Sequence, residues 1–110
     1  MALHHASSGE LIDVRPLGDA LAHTVTKTLY KSDHMQVFRL VLLAGKDAPA
    51  HSVDGEITIQ CLEGTVELSI GKLTQVMRQG DLVCLAGGVV HALTAREDTS
   101  VLVTILRQQN

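Results

Sequence analysis

The feature that most constrains this chain is a period of two that recurs in short runs. TVELSI, residues 65–70, sets Val66, Leu68 and Ile70 against Thr65, Glu67 and Ser69. HMQVFRLVLLAG, 34–45, sets Met35, Val37, Arg39 and Val41 against Gln36, Phe38, Leu40 and Leu42. Successive side chains of a strand point to opposite faces, so such runs predict half-buried strands rather than helices. Further strands are expected at 10–18, 20–30, 57–64, 73–80, 82–86, 87–93 and 101–106. Turn signals separate them: Lys31-Ser32-Asp33, Gly71-Lys72 and Gly80-Asp81. KDAPAHSVDGE, 46–56, reads as a loop, with Pro49 and an Asp54-Gly55 turn. The only helix candidate, 17–23, is weakened by Gly18 and by the β-branched run after it. Roughly 8–12-residue spacing of short strands is the pattern of an all-β sandwich or barrel.

One domain suffices for 110 residues, and 45% hydrophobic residues supply a core without disulfide staples. Residues 1–9 are small and polar and are expected to be a flexible N-terminus, leaving 10–110 as the barrel. Nine Lys and Arg residues are scattered singly, and there is one Tyr, one Phe and no Trp. A basic stripe and stacking platforms are therefore both missing, so nucleic acid is not an expected partner. Neither a secretory signal nor an apolar run of membrane-spanning length is visible, which gives the expectation of a cytoplasmic protein with no membrane partner. Cys61 and Cys84 both lie in apolar runs and are expected to be buried free thiols. His4 and His5 form a terminal pair that can pick up stray metal.

Two glycine-framed segments carry a family resemblance. In the first, Gly45 is followed after five residues by His51, and Leu62-Glu63-Gly64 closes the stretch. In the second, Gly80-Asp81 opens, Gly88 holds its place and His91 follows it at the third position. The chain resembles a small single-domain cupin of the conserved-barrel, RmlC-like kind, with motif 1 at 45–64 and motif 2 at 80–95. That resemblance implies a double-stranded β-helix, a jelly-roll barrel with the motif residues facing inward. It also implies a metal site of two His, one Glu and a third His. This chain departs from that set: Val53 stands at the second His position and Ile57 at the Glu position. Ala86 replaces the motif proline and Ala95 the motif asparagine.

The remaining ligand candidates are His51 and His91. A catalytic divalent ion usually takes three protein ligands plus water. A third could be Glu56, if a bulge turns it inward, or Cys61, which shares a strand face with Ile57 and Ile59. His23 and His34 could approach from other strands. Zn, Fe, Mn or Ni are the ions such a set could take. The simpler expectation is a cavity lined by Val53, Ile57, Ile59 and Cys61 that binds a small molecule, with two neutral imidazoles at its mouth. Besides a purely structural barrel that only dimerises or docks on a larger enzyme, two enzymatic alternatives stay open. One is a metal-dependent enzyme of oxygenase or isomerase type with a remodelled site. The other is a metal-free isomerase or epimerase using His acid–base chemistry.

Arg39, inside an apolar strand, is expected on the outer face with its stem along hydrocarbon, or else as a carboxylate anchor at the cavity mouth. Thr58 and Gln60 are expected outside. Leu40, Leu42 and Leu62 are also placed outward, which leads to the expectation of a sheet-on-sheet homodimer, with 10–16 as a strand that could be exchanged.

Overall fold

The computed structural model describes residues 5–107; His4 and the last three residues of the tail lie outside the described residues. The period-two runs become nine strands: β1 (Lys27–Lys31), β2 (Met35–Leu42), β3 (Asp47–His51), β4 (Ile57–Glu63), β5 (Thr65–Ile70), β6 (Leu73–Arg78), β7 (Leu82–Leu85), β8 (His91–Ala95) and β9 (Thr99–Leu106). They form a five-stranded sheet in the order β1-β2-β9-β4-β7 and a four-stranded sheet in the order β3-β8-β5-β6. Every pairing is antiparallel. From β2 to β9 the chain passes back and forth between the sheets, the winding of a jelly-roll barrel. No helix among the described residues is long and apolar enough to cross a membrane.

The core lies between the sheets and is built from their inward rows. On β4, Ile57, Ile59 and Cys61 are 3%, 1% and 0% exposed, and Thr58 and Gln60 alternate with them on the outer side. Val101 and Val103 of β9 pair beside them, and Val66, Leu68 and Leu93 face them from the other sheet. Burying a branched side chain of this size stabilises by roughly 1.5–3 kcal/mol. The β5–β6 hairpin turns on two residues, Gly71 and Lys72, with Ile70 paired to Leu73. Gly71 has φ +57°, the left-handed conformation such a tight turn requires.

Several sequence expectations need correction. The helix candidate at 17–23 forms a 3₁₀ helix, Gly18–His23, so the strand expected over 20–30 begins only at Lys27. The Thr24 hydroxyl closes that helix on the Ala20 carbonyl, so the threonine that suggested a strand serves a helix end. Residues 10–16 form no strand. The expected loop at 46–56 contains β3, which tolerates Pro49 because it is an edge strand, where a missing N–H costs no ladder bond. Cys84 is exposed: it lies on the edge strand β7 and alternates with Val83 and Leu85, which face inward. Leu40 and Leu42 also point inward, on the same parity as Phe38.

Arg39 does lie on the outer face, but it is not a snorkelling side chain. It is 5% exposed, covered by the segment before the 3₁₀ helix. Its Nη2 donates to the carbonyls of Arg15 at 3.1 Å and Asp13 at 3.4 Å, and its Nη1 lies 4.0 Å from Glu63 Oε2. Glu63 reaches this face because the β4–β9 register shifts between Cys61 and Glu63, a bulge that sets Glu63 beside Ser100. The Glu63 carboxylate accepts from the backbone N–H groups of Leu17 and Gly18 and, at 2.6 Å, from the Ser100 hydroxyl. Leu17 and Gly18 open the 3₁₀ helix, so one buried carboxylate fastens the N-terminal segment to the sheet.

Burial by itself pushes the Glu63 carboxyl up. The Leu17 N–H, the Ser100 hydroxyl, the Gly18 N–H and the Arg39 charge outweigh it and hold the carboxyl below its ordinary value. A carboxyl lowered in the folded state contributes stability that is complete above the unfolded value, about 4.3 for Glu, and lost as pH falls through the folded value. Urea unfolding of Glu63→Gln should therefore show a deficit at pH 7, of about 3–5 kcal/mol for a broken buried pair, that shrinks as pH drops below about 4. A deficit independent of pH would contradict this account of the fastening.

Candidate functional site

His51 ends β3 and His91 begins β8, and the register pairs them directly across the two strands. Their rings lie 4.7 Å apart, centroid to centroid, tilted by 50°. His51 is exposed and His91 is 3% exposed, so one ring sits at the rim and the other inside it. Each ring is folded back on its own chain in the same way. His51 Nδ1 is 3.0 Å from the Pro49 carbonyl oxygen, and His91 Nδ1 is 3.0 Å from that of Val89. A carbonyl oxygen only accepts, so each Nδ1 must carry the proton. In the neutral ring this leaves Nε2 of both histidines as an acceptor with an open lone pair.

The two rings line a cavity of about 40 Å³. Phe38 and Leu40 of β2, Ile57 and Ile59 of β4, and Val103 and Ile105 of β9 wall it on one sheet; Ala48 of β3 and Leu93 of β8 wall it on the other. Every lining side chain except the two imidazoles is hydrocarbon. Phe38, Leu40, Ala48, Leu93, Val103 and Ile105 were not anticipated as lining residues. The shared parity of Phe38 and Leu40 was the available signal; nothing in the sequence marked Ala48 before β3 was known to be a strand.

The other candidates are not brought to this cavity. Val53 packs at the edge of the core and lines a separate groove with Asp54, Gly55 and Ile105. Cys61 lies deeper in the core, its thiol directed to the carbonyls of Glu63 and Gly64 at 3.6 Å. Burial pushes that thiol up, away from the thiolate a metal would need. The side chain of Glu56 is exposed, and its backbone carbonyl receives the N–H of Leu106. His23 and His34 are exposed and do not line the cavity. Among the described residues no three His, Cys, Asp or Glu side chains come close enough to hold one ion. A divalent ion at such a site usually takes three protein ligands. Two imidazoles in a hydrocarbon wall do not fit the metal centre that the family resemblance implies.

A larger open groove, of about 310 Å³, runs beside β6 and β7 past Gln75, Met77 and Asp81. It gathers one ionisable side chain and no pair. We place the candidate site at the smaller cavity because two oriented imidazoles converge there.

Residues 38–106 match the family model for the cupin domain, more than half of the chain, and the protein belongs to the cupin family. No curated protein matches it significantly. Its fold is similar to that of a conserved protein of unknown function from Streptococcus pyogenes, at 21% identity, with all of each chain covered and a TM-score of 0.76. An RmlC-like cupin protein from Desulfovibrio desulfuricans is 27% identical, over 93% of this chain and 97% of that one, with a TM-score of 0.70. A cupin superfamily protein from Desulfitobacterium hafniense is 16% identical, over 89% and 95%, with a TM-score of 0.76.

The two backbone bonds define a testable proton position. At alkaline pH, long-range proton–nitrogen spectra should show Nδ1 protonated and Nε2 bare in both His51 and His91. A proton on Nε2 of either neutral ring would contradict the carbonyl bonds.

Proposed function

We propose that this cupin is a small-molecule-binding barrel in which an end group of the ligand enters between His51 and His91. The observation that carries the reading is the pairing of two oriented imidazoles with an otherwise hydrocarbon cavity. A few polar groups set in an apolar concavity are the general make-up of a ligand site. The size sets the mode of binding. The cavity measures only about 40 Å³. Drug-sized ligands need roughly 300–1,000 Å³. Only a head group of a few atoms can enter, and the remainder of the ligand must lie outside, past the exposed ring of His51.

The proposal includes a second copy of the chain. The outer row of the five-stranded sheet carries half-exposed Val37, Val41 and Leu102, and Leu82 and Leu106 are 58% and 46% exposed. This hydrocarbon supports a sheet-on-sheet homodimer.

Ala48 offers a direct test, because its side chain is the smallest in the wall. Ala48→Val adds two methyl groups to the cavity. In a fragment screen read by imidazole nitrogen shifts, hits should move His51 and His91 in the parent and fail to move them in Ala48→Val. The variant should stay folded, within about 1–3 kcal/mol of the parent. Hits that instead map to Gln75 and Asp81, or that persist unchanged in Ala48→Val, would overturn the reading.

A further inference from the structure

The chemistry of the head group can be inferred from what the cavity lacks. The inference rests on the binding reading above and narrows it. Ten residues line the cavity, and none is Lys, Arg, Asp, Glu, Ser, Thr, Asn or Gln. The only side-chain polar atoms available are ring nitrogens. Both Nδ1–H groups are already spent on the carbonyls of Pro49 and Val89. In the neutral rings that leaves two acceptors, both Nε2, and no side-chain donor.

Three classes of head group meet this site differently. Where both rings are neutral, a carboxylate or phosphate would bring only further lone pairs, with no guanidinium, ammonium, imidazolium or hydroxyl to receive them. Burying an anion without a partner is strongly unfavourable. An ammonium brings donors, but no carboxylate lines the cavity to balance its charge. A neutral group carrying O–H or N–H donors matches the two lone pairs and leaves no charge in hydrocarbon. With two acceptors on rings 4.7 Å apart, a head group with two donors is matched best.

We propose that the ligand of this cavity presents a neutral hydrogen-bond-donor head group, a diol or primary amide, to Nε2 of His51 and His91, and that the site discriminates against carboxylate, phosphate and ammonium head groups.

The probes are 1,2-ethanediol, acetamide, acetate, inorganic phosphate and ethylammonium, each titrated into the full chain at about pH 8.5, where histidine side chains are generally neutral. The readout is the nitrogen shift of each Nε2. Ethanediol and acetamide are expected to give saturable shifts at both rings, at least about tenfold tighter than the three charged probes, the equivalent of 1.4 kcal/mol. His51→Ala, at an exposed position that leaves the core intact, should weaken both by several-fold while circular dichroism stays unchanged. Tighter saturable binding of acetate, phosphate or ethylammonium at the same rings would overturn the head-group assignment and leave the binding cavity standing. No shift from any of the five overturns the assignment as well. If the wider fragment screen is also silent at these rings, the binding reading falls with it.

Discussion

The inner row of β4 fills the barrel with hydrocarbon, and the rest of the molecule is arranged around it. Ile57, Ile59 and Cys61 are almost fully buried between β9 and β7 and face the opposite sheet. Ile57 stands where the family resemblance places a carboxylate ligand. Its branched side chain completes the core instead, packing with Leu85 and Val103. With Ile57 there, no carboxylate stands beside the two imidazoles, and its side chain is one of those that wall the cavity of about 40 Å³. The histidines of the two motifs stand beside it, each with its Nδ1 bonded to a carbonyl of its own strand end.

Polar burial on the outer face follows a different logic. Arg39 and Glu63 sit under the N-terminal segment, and the β4 bulge that sends Glu63 outward separates them from the cavity. Their partners are backbone groups of residues 13–18 and the Ser100 hydroxyl, so their role is to fasten chain to sheet. A buried ion pair of this kind is weak support for stability in itself, because desolvation offsets attraction. Here it also fixes where the segment lies. The barrel thus keeps its charged pair and its imidazole pair on opposite sides of one sheet.

Period-two patterning was enough to read the strands of a sandwich or barrel and the shared face of Ile57, Ile59 and Cys61, because strand sidedness is a local property; which face of β2 turns inward it left unsettled, since Arg39 and its opposite-parity neighbours Leu40 and Leu42 were all placed outward. The His51–His91 juxtaposition was legible only through the motif glycines, since register across strands is set by tertiary pairing. The strand at Asp47–His51 was hidden by Pro49, whose edge position cannot be known before the sheet order is. The exposure of Cys84 was hidden for the same reason. The 3₁₀ helix at Gly18–His23 was obscured by an alternation that its threonine shares with real strands, and its cap comes from Glu63, 45 residues away. Cavity volume is a sum over both sheets, so no local pattern carried it.

The central claim is that this barrel holds a pair of imidazoles, each bonded through Nδ1 to its own backbone, in place of the metal centre that the family resemblance implies. The most direct test is metal content by mass spectrometry after growth with zinc, iron, manganese and nickel. The protein would carry His4→Ala and His5→Ala to remove terminal binding, and would be compared with the same protein bearing His51→Ala and His91→Ala as well. The account predicts no stoichiometric ion in either. About one ion per chain in the first protein, absent from the second, would contradict it.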